Sequence, residues 1–270
     1  MSFEPFIASA IQMVSVSDVR ENLAAAEKAI EEAAEQDARL VVLPENFAFV
    51  GCAETDKIKI REVDGDGPIQ QFLSETASRF GVWLVAGSIP LATTSTSHIL
   101  NSCLVYDDHG KRIARYDKIH LFGFESGSEK YRESDTIEPG AGPPLAFDSP
   151  FGRIGLSICY DVRFPELYRS YGPVDIILVP SAFTETTGRA HWEVLLRARA
   201  IENQAYVIAA AQGGQHPNGR STYGHSMIID PWGEVLGVRP EGHGVVQAQI
   251  DSQIIAQVRA SLPALAHRRL

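Results

Sequence analysis

The chain has 270 residues, 44% of them hydrophobic, enough to fill the core of one large domain or two small ones. Twenty-four basic residues against 34 acidic ones give a formal net charge of −10, and the lysines and arginines are scattered rather than striped, which argues against nucleic acid as a partner. No basic leader precedes an apolar run and no apolar run approaches a membrane span, so a soluble, cytoplasmic protein without a membrane partner is expected.

Residues 6–13 alternate and then run apolar, as in a buried strand. Asp18 reads as a helix N-cap, with Glu21 three residues on, and Val19, Leu23, Ala26, Ile30 and Ala33 recur at helical spacing. The apolar strand 39–43 is stopped by Pro44, which leaves Glu45 just past its end. A carboxylate there is either solvated and idle or held where a strand opens onto a site. The spacing predicts a second amphipathic helix over 68–80, then strands over 82–89, 102–106 and 112–120, with Gly110 supplying a positive φ in the turn before the last. Lys118 ends that strand between apolar neighbours; it either snorkels from an edge or holds a charge inside a site.

Residues 123–144, rich in Gly, Pro, Ser and Glu and containing Glu133, read as a linker or as an ordered loop over a site. The short apolar strand 154–158 then ends abruptly in Cys159 and Tyr160, with Pro165 placed to start a helix. A thiol at the end of a core strand is rigidly held and still opens outward, which suits a nucleophile, although an unpaired cysteine commonly just packs. Cys52, Cys103 and Cys159 are far apart and lack Cys-x-x-Cys spacing, which argues against a disulfide framework or a zinc site; no metal and no cofactor are expected.

A strand over 175–181 is stopped by Pro180, with Ser181, Phe183 and Thr184 at and beyond its end. A helix over 191–203 carries Trp192, Leu195, Leu196 and Ile201 among many charges, so one face suits the sheet and another a second subunit. Strands over 206–211, 226–230, 234–238 and 245–250 follow, and 252–270 reads as a C-terminal arm. No repeat or composition break marks a boundary, so 1–270 reads as a single α/β domain, and ten or more strands suit helix–sheet–sheet–helix layering.

If Glu45, Lys118 and Cys159 converge from their separate strand ends, they form a competent set. The carboxylate can take the thiol proton and return it to a leaving amine. The ammonium keeps the carboxylate charged and faces a developing oxyanion, with the Tyr160 N–H as a second donor. A Cys–His pair is the competing account, with His120, His191 and His225 as its candidates. His120 more simply positions the Lys118 strand and His225 satisfies a loop.

The sequences Leu-Pro-Glu-Asn around Glu45, Tyr-Asp-Lys-Ile-His-Leu-Phe around Lys118 and Ser-Ile-Cys-Tyr-Asp-Val-Arg-Phe-Pro-Glu around Cys159 resemble the nitrilase (carbon–nitrogen hydrolase) superfamily and its Glu-Lys-Cys triad. The resemblance spans nearly the whole chain, including Pro180-Ser-Ala-Phe-Thr184 and the stretch 188–203. It implies a four-layer α-β-β-α sandwich that dimerises or assembles further through helices, a lid over 123–144, and Glu133 as a second glutamate holding Lys118. Ala211-Gln-Gly-Gly214 and the stretch 221–233 look like the Nit branch, nearest the amidases of deaminated glutathione. That implies a small-molecule amide substrate and release of 2-oxoglutarate and cysteinylglycine through a cysteine thioester, with an ω-amidase for 2-oxoglutaramate as the neighbouring reading. For an acidic substrate, Arg163 and Thr184 are the candidate carboxylate or amide contacts, and Tyr160, Ser181 and Phe183 complete the candidate binding set; Arg163 could equally pair with Glu166 or meet a second subunit. A non-catalytic scaffold of the same fold is the reading from a different class, and it has no use for a lysine and a carboxylate at the thiol.

Overall fold

Side-chain alternation along the strands explains why two sheets stack. In the strand Phe6–Gln12, Phe6, Ala8 and Ala10 enter one core with Leu40, Val42 and Val85, while Ile11 enters another with Val41, Leu43, Ile30 and Leu73. The first core also holds Ile154, Leu156, Ile176 and Leu178 of the second sheet, so it joins the two sheets and continues around the second. The second lies between the first sheet and the helices Val19–Glu35 and Pro68–Phe80. The helix Glu185–Asn203 covers the second sheet through Trp192 and Leu196, completing an α-β-β-α arrangement. The computed structural model describes residues 2–127 and 129–269; Met1, Ser128 of the expected lid and Leu270 of the expected arm lie outside the described residues.

The first sheet orders its strands Gly244–Ile250, Phe6–Gln12, Ala38–Val42, Trp83–Val85, Ile99–Tyr106 and Ile89–Ala92, with Arg112–Asp117 also paired to Ile99–Tyr106. The second orders Val235–Arg239, Ser226–Ile229, Tyr206–Ala209, Ile176–Leu178, Gly152–Leu156 and Ala146–Ser149. Phe6–Gln12, Ala38–Val42 and Trp83–Val85 run parallel, as do Gly152–Leu156, Ile176–Leu178 and Tyr206–Ala209. Parallel strands deliver their carboxyl ends to one rim, where ligands collect in α/β folds. A bridge between Met13 and Gln212 joins the two sheets there.

The expected helix over 68–80 is Pro68–Phe80, and Asp18 caps the first helix through its Oδ1, 3.1 Å from the Glu21 N–H. Two expectations need correction, and two further segments hold regular structure of their own. The strand expected over 82–89 is two strands, Trp83–Val85 and Ile89–Ala92, because the chain turns at Gly87 (φ +58°), where a Cβ would lie 1.9 Å from the Pro44 carbonyl oxygen. The helix expected from 191 begins at Glu185, capped by Thr184, whose Oγ1 accepts the Thr187 N–H at 3.3 Å. Gly188 weakens the helical signal in that first turn, yet a side chain there would meet Tyr223 at 2.3 Å. The loop over 123–144 contains a hairpin, Gly123–Ser126 with Glu129–Arg132, and a 3₁₀ turn, Glu133–Asp135. The expected arm starts as a helix, Ser252–Ser261, docked by buried Ile255 and by Arg259, which bonds Asp175 Oδ1 at 3.1 Å and the Val174 carbonyl at 2.6 Å. Among the described residues no helix is long and apolar enough to cross a membrane.

Candidate active site

Glu45 leaves the strand Ala38–Val42 through Leu43 and Pro44, and three neighbours fix its turn. The Asn46 N–H donates to Ser88 Oγ at 3.0 Å, the Glu45 carbonyl accepts Gln212 Nε2 at 3.1 Å, and Gln212 itself is held by Ser15. The Glu45 side chain is 1% exposed as a residue and points inward, where Oε1 accepts Asn101 Nδ2 and Lys118 Nζ, each at 2.9 Å. Lys118, fully buried, follows the strand Arg112–Asp117; its N–H donates to the Asn101 carbonyl at 2.9 Å and its ammonium also reaches Glu133 Oε1 and Oε2 at 2.9 and 2.8 Å. Glu133 opens its 3₁₀ turn and accepts the Phe122 N–H at 2.7 Å, so the hairpin loop is tied directly to the lysine.

Cys159 ends the segment after Gly152–Leu156 with φ +50°, a conformation that a non-glycine residue adopts only when its surroundings hold it there. The Cys159 N–H donates to the Pro180 carbonyl at 2.8 Å, and the 3₁₀ turn Cys159–Arg163 begins at once. Asp161 braces that turn: its Oδ2 accepts the Ile158 N–H at 2.9 Å and the Tyr116 hydroxyl at 2.8 Å, and its Oδ1 lies 2.7 Å from His120 Nδ1. One buried carboxylate thereby locks the Cys159 turn to the strand that leads into Lys118. The His120 ring stacks on Phe164 at 3.7 Å, so His120 serves this brace rather than the sulfur.

The electrostatics follow from burial and partners. Burial pushes the Glu45 carboxyl up, but the charge and hydrogen bond of Lys118, with a hydrogen bond from Cys159, outweigh it and hold the group below the ordinary carboxylate value. Burial, then the negative charge of Glu45, drives the Cys159 thiol well above the ordinary cysteine value, although Lys118 opposes this. Burial works against the Lys118 charge, but Glu133 and Glu45 more than restore it and the ammonium stays protonated. The resting state is therefore thiol, carboxylate and ammonium. In that state Glu45 can act as base toward the sulfur.

Glu45, Glu133, Cys159, Tyr160, Phe183 and Thr184 line one cleft with an empty volume of about 520 Å³, open space included. Thr184 has its hydroxyl engaged as the helix cap, 2.8 Å from Thr187 Oγ1. Two candidate contacts are turned elsewhere. Ser181 is buried with Oγ on the Val179 carbonyl at 3.2 Å. Arg163 does not line the cleft; its guanidinium packs over Phe183 and Tyr160 at 5.3 and 5.7 Å and meets His191 at 3.2 Å, supporting the wall from behind. The cations that do line it are Lys57, Arg132 and Arg220. Arg220 lies over the Tyr131 ring at 4.9 Å, gives one hydrogen bond to the Ala182 carbonyl at 3.2 Å, and keeps Nε buried without a partner. Asn101 was also missed, although an asparagine inside the apolar run 99–106 is a readable signal. No such signal marks Arg220, which sits in a polar loop.

Residues 7–260 match the carbon-nitrogen hydrolase family, and the chain belongs to that family. It is similar to the deaminated glutathione amidase of Synechocystis, 45% identical over 98% of both chains, and to that of Yersinia enterocolitica, 41% identical over 96% of this chain and 91% of the relative. Its fold superposes on the crystal structure of Saccharomyces cerevisiae Nit3, a member of branch 10 of the nitrilase superfamily, with a TM-score of 0.88 at 32% identity over 99% of this chain and 97% of the other. The chain is accordingly a carbon–nitrogen hydrolase of amidase type.

Proposed function

We propose that this hydrolase cleaves the amide of deaminated glutathione to 2-oxoglutarate and cysteinylglycine through a thioester on Cys159. The observation that carries the reading is the contact of Lys118 with both Glu45 and Glu133 beside the Cys159 thiol. As the Cys159 sulfur attacks the amide carbon, its proton passes to Glu45 and a C–S bond forms, leaving a tetrahedral oxyanion facing the Lys118 ammonium and the Tyr160 N–H. The C–N bond then breaks as Glu45 returns the proton to the nitrogen, and the amine departs. Water next attacks the thioester, giving one proton to Glu45; the C–S bond breaks, the acid is released and Glu45 hands that proton back to the sulfur. Glu133 holds Lys118 in place throughout.

The substrate assignment is supported by the full-length similarity to deaminated glutathione amidases and by the three cations of the cleft, which suit an amide carrying carboxylates. A homodimer is supported by Val194 and Ile201, exposed on the outer face of the helix Glu185–Asn203, together with exposed Trp232 in the turn against which Ile201 packs. The test is direct: purified protein given deaminated glutathione releases 2-oxoglutarate, and Cys159→Ala abolishes release. Activity that survives Cys159→Ala, or confinement of activity to amides lacking the 2-oxoglutaryl group, would sink the reading.

A further inference from the structure

We infer that a second cleft, opening off the first past Arg220, seats the amine half of the substrate, a short peptide leaving group ending in a carboxylate. The inference rests on the amidase reading above and narrows it, because it separates a peptide amide from a simple primary amide.

The second cleft has an empty volume of about 470 Å³, open space included, and shares Asn46, Glu54, Lys57, Ala182 and Arg220 with the first. Its position follows the direction of proton transfer. Glu45 must deliver a proton to the departing nitrogen, so the amine lies on the Glu45 side of the scissile carbon. Asn46, the next residue, lines both clefts, and so does Ala182, which shares the first cleft with Cys159. The second cleft thus begins one residue from the general base. The first cleft is also walled by Phe122, Tyr131 and Arg132 of the hairpin loop, none of which lines the second cleft, and those residues are left to the acyl half.

The walls suit a peptide. Phe49, Val50 and Ala53 offer apolar surface for a side chain. Arg220 supplies the charge. Among the described residues it forms no ion pair with an acid, its one hydrogen bond goes to the Ala182 carbonyl, and its buried Nε has no acceptor. A half-buried guanidinium that feels the charges of Glu45 and Glu54 but forms no ion pair with either can take a ligand carboxylate in direct contact. Lys57 by contrast is already joined to Glu54 at 2.6 Å. A primary amide, whose leaving group is ammonia, has no use for this space.

Val50 and Ala53 line the second cleft and not the first, and neither is buried, so Val50→Trp and Ala53→Trp fill it while leaving the catalytic groups untouched. Each variant is expected to lower kcat/KM for deaminated glutathione by about tenfold or more, while kcat/KM for 2-oxoglutaramate, the same acyl group with ammonia leaving, stays within about threefold. The inhibition constant of cysteinylglycine should rise by about tenfold in the same variants, and this measurement decides the matter if 2-oxoglutaramate turns over too slowly to read. Equal losses on both substrates, or no loss together with unchanged product inhibition, would overturn the proposal while leaving the amidase reading intact. A wild-type protein inactive on both amides would instead remove the reading beneath it.

Discussion

The Lys118 ammonium touches both oxygens of Glu133, at 2.9 and 2.8 Å, but only one oxygen of Glu45, at 2.9 Å. Two acids on one buried cation leave no surplus positive charge to draw a proton off the neighbouring sulfur. The site therefore differs in kind from a thiolate–imidazolium pair: under the proposed mechanism its reactivity depends on a base that removes the proton during attack.

That difference is measurable in the free enzyme. Because burial and the Glu45 charge raise the Cys159 thiol well above the ordinary cysteine value, its alkylation by iodoacetamide should show no thiolate plateau below about pH 9. Peptide mass spectrometry separates Cys159 from exposed Cys52. A plateau near neutrality would mean a preformed thiolate and would contradict this account.

Removing the cation should expose the cost of the buried acid. In the wild type Lys118 outweighs burial and depresses Glu45, so Glu45 contributes stability above its unfolded value, and that contribution is lost as pH falls through the lower folded value. In Lys118→Met burial acts with little opposition and raises Glu45, so the charged carboxylate destabilises the fold at neutral pH, by about 3–5 kcal/mol. Protonation relieves that penalty. The gap in urea midpoint between wild type and variant should therefore narrow from about pH 7 to about pH 5. A gap that widens on acidification would contradict the assignment.

Arg220→Gln removes a cleft cation that, among the described residues, forms no ion pair. A lost charge-assisted hydrogen bond of about 1.5–3 kcal/mol corresponds to a rise in KM of about 10- to 150-fold on anionic amides, with kcat little changed. Steady-state kinetics on a charged substrate and its uncharged ester compare the two. A fall in kcat at constant KM would place Arg220 in the chemical step instead of in binding.

Two glycines of matched conformation isolate a steric contribution. Gly81 has φ +63° with nothing within 4 Å of a Cβ, whereas at Gly87, φ +58°, a Cβ would lie 1.9 Å from the Pro44 carbonyl oxygen. Gly81→Ala should cost only the conformational strain, about 1 kcal/mol. Gly87→Ala should cost more and should also reduce activity, because Pro44 positions Glu45. Equal losses of Tm and unchanged turnover in both variants would show that the close approach is dispensable.

The groups that ended up together were those marked by a common local pattern, an apolar strand cut short with a polar residue just beyond. Glu45 and Cys159 follow parallel strands whose carboxyl ends reach one rim, and Lys118 follows a strand paired to Ile99–Tyr106. What escaped was direction and proximity. Arg163 lies four residues after Cys159, but in a 3₁₀ turn each residue rotates by about 120°, so the side chain leaves the cleft. Arg220 comes from a polar loop whose path depends on neighbours such as Asn218, which ties it to Gly51 at 2.7 Å, a contact across 167 positions of sequence. The split at Gly87 likewise reflects the demands of the Pro44 backbone rather than any local preference.

Asn101 and Lys118 both anchor Oε1 of Glu45, which in the proposed mechanism leaves Oε2 to carry the proton. The outgoing amine and the incoming water are then served in turn through a single doorway, and between them the acyl group rests on sulfur behind an empty threshold. Whatever small nucleophile arrives first inherits that group, so hydroxylamine added during turnover should divert it to a hydroxamate, and the share diverted acts as a clock for how long the threshold stands open.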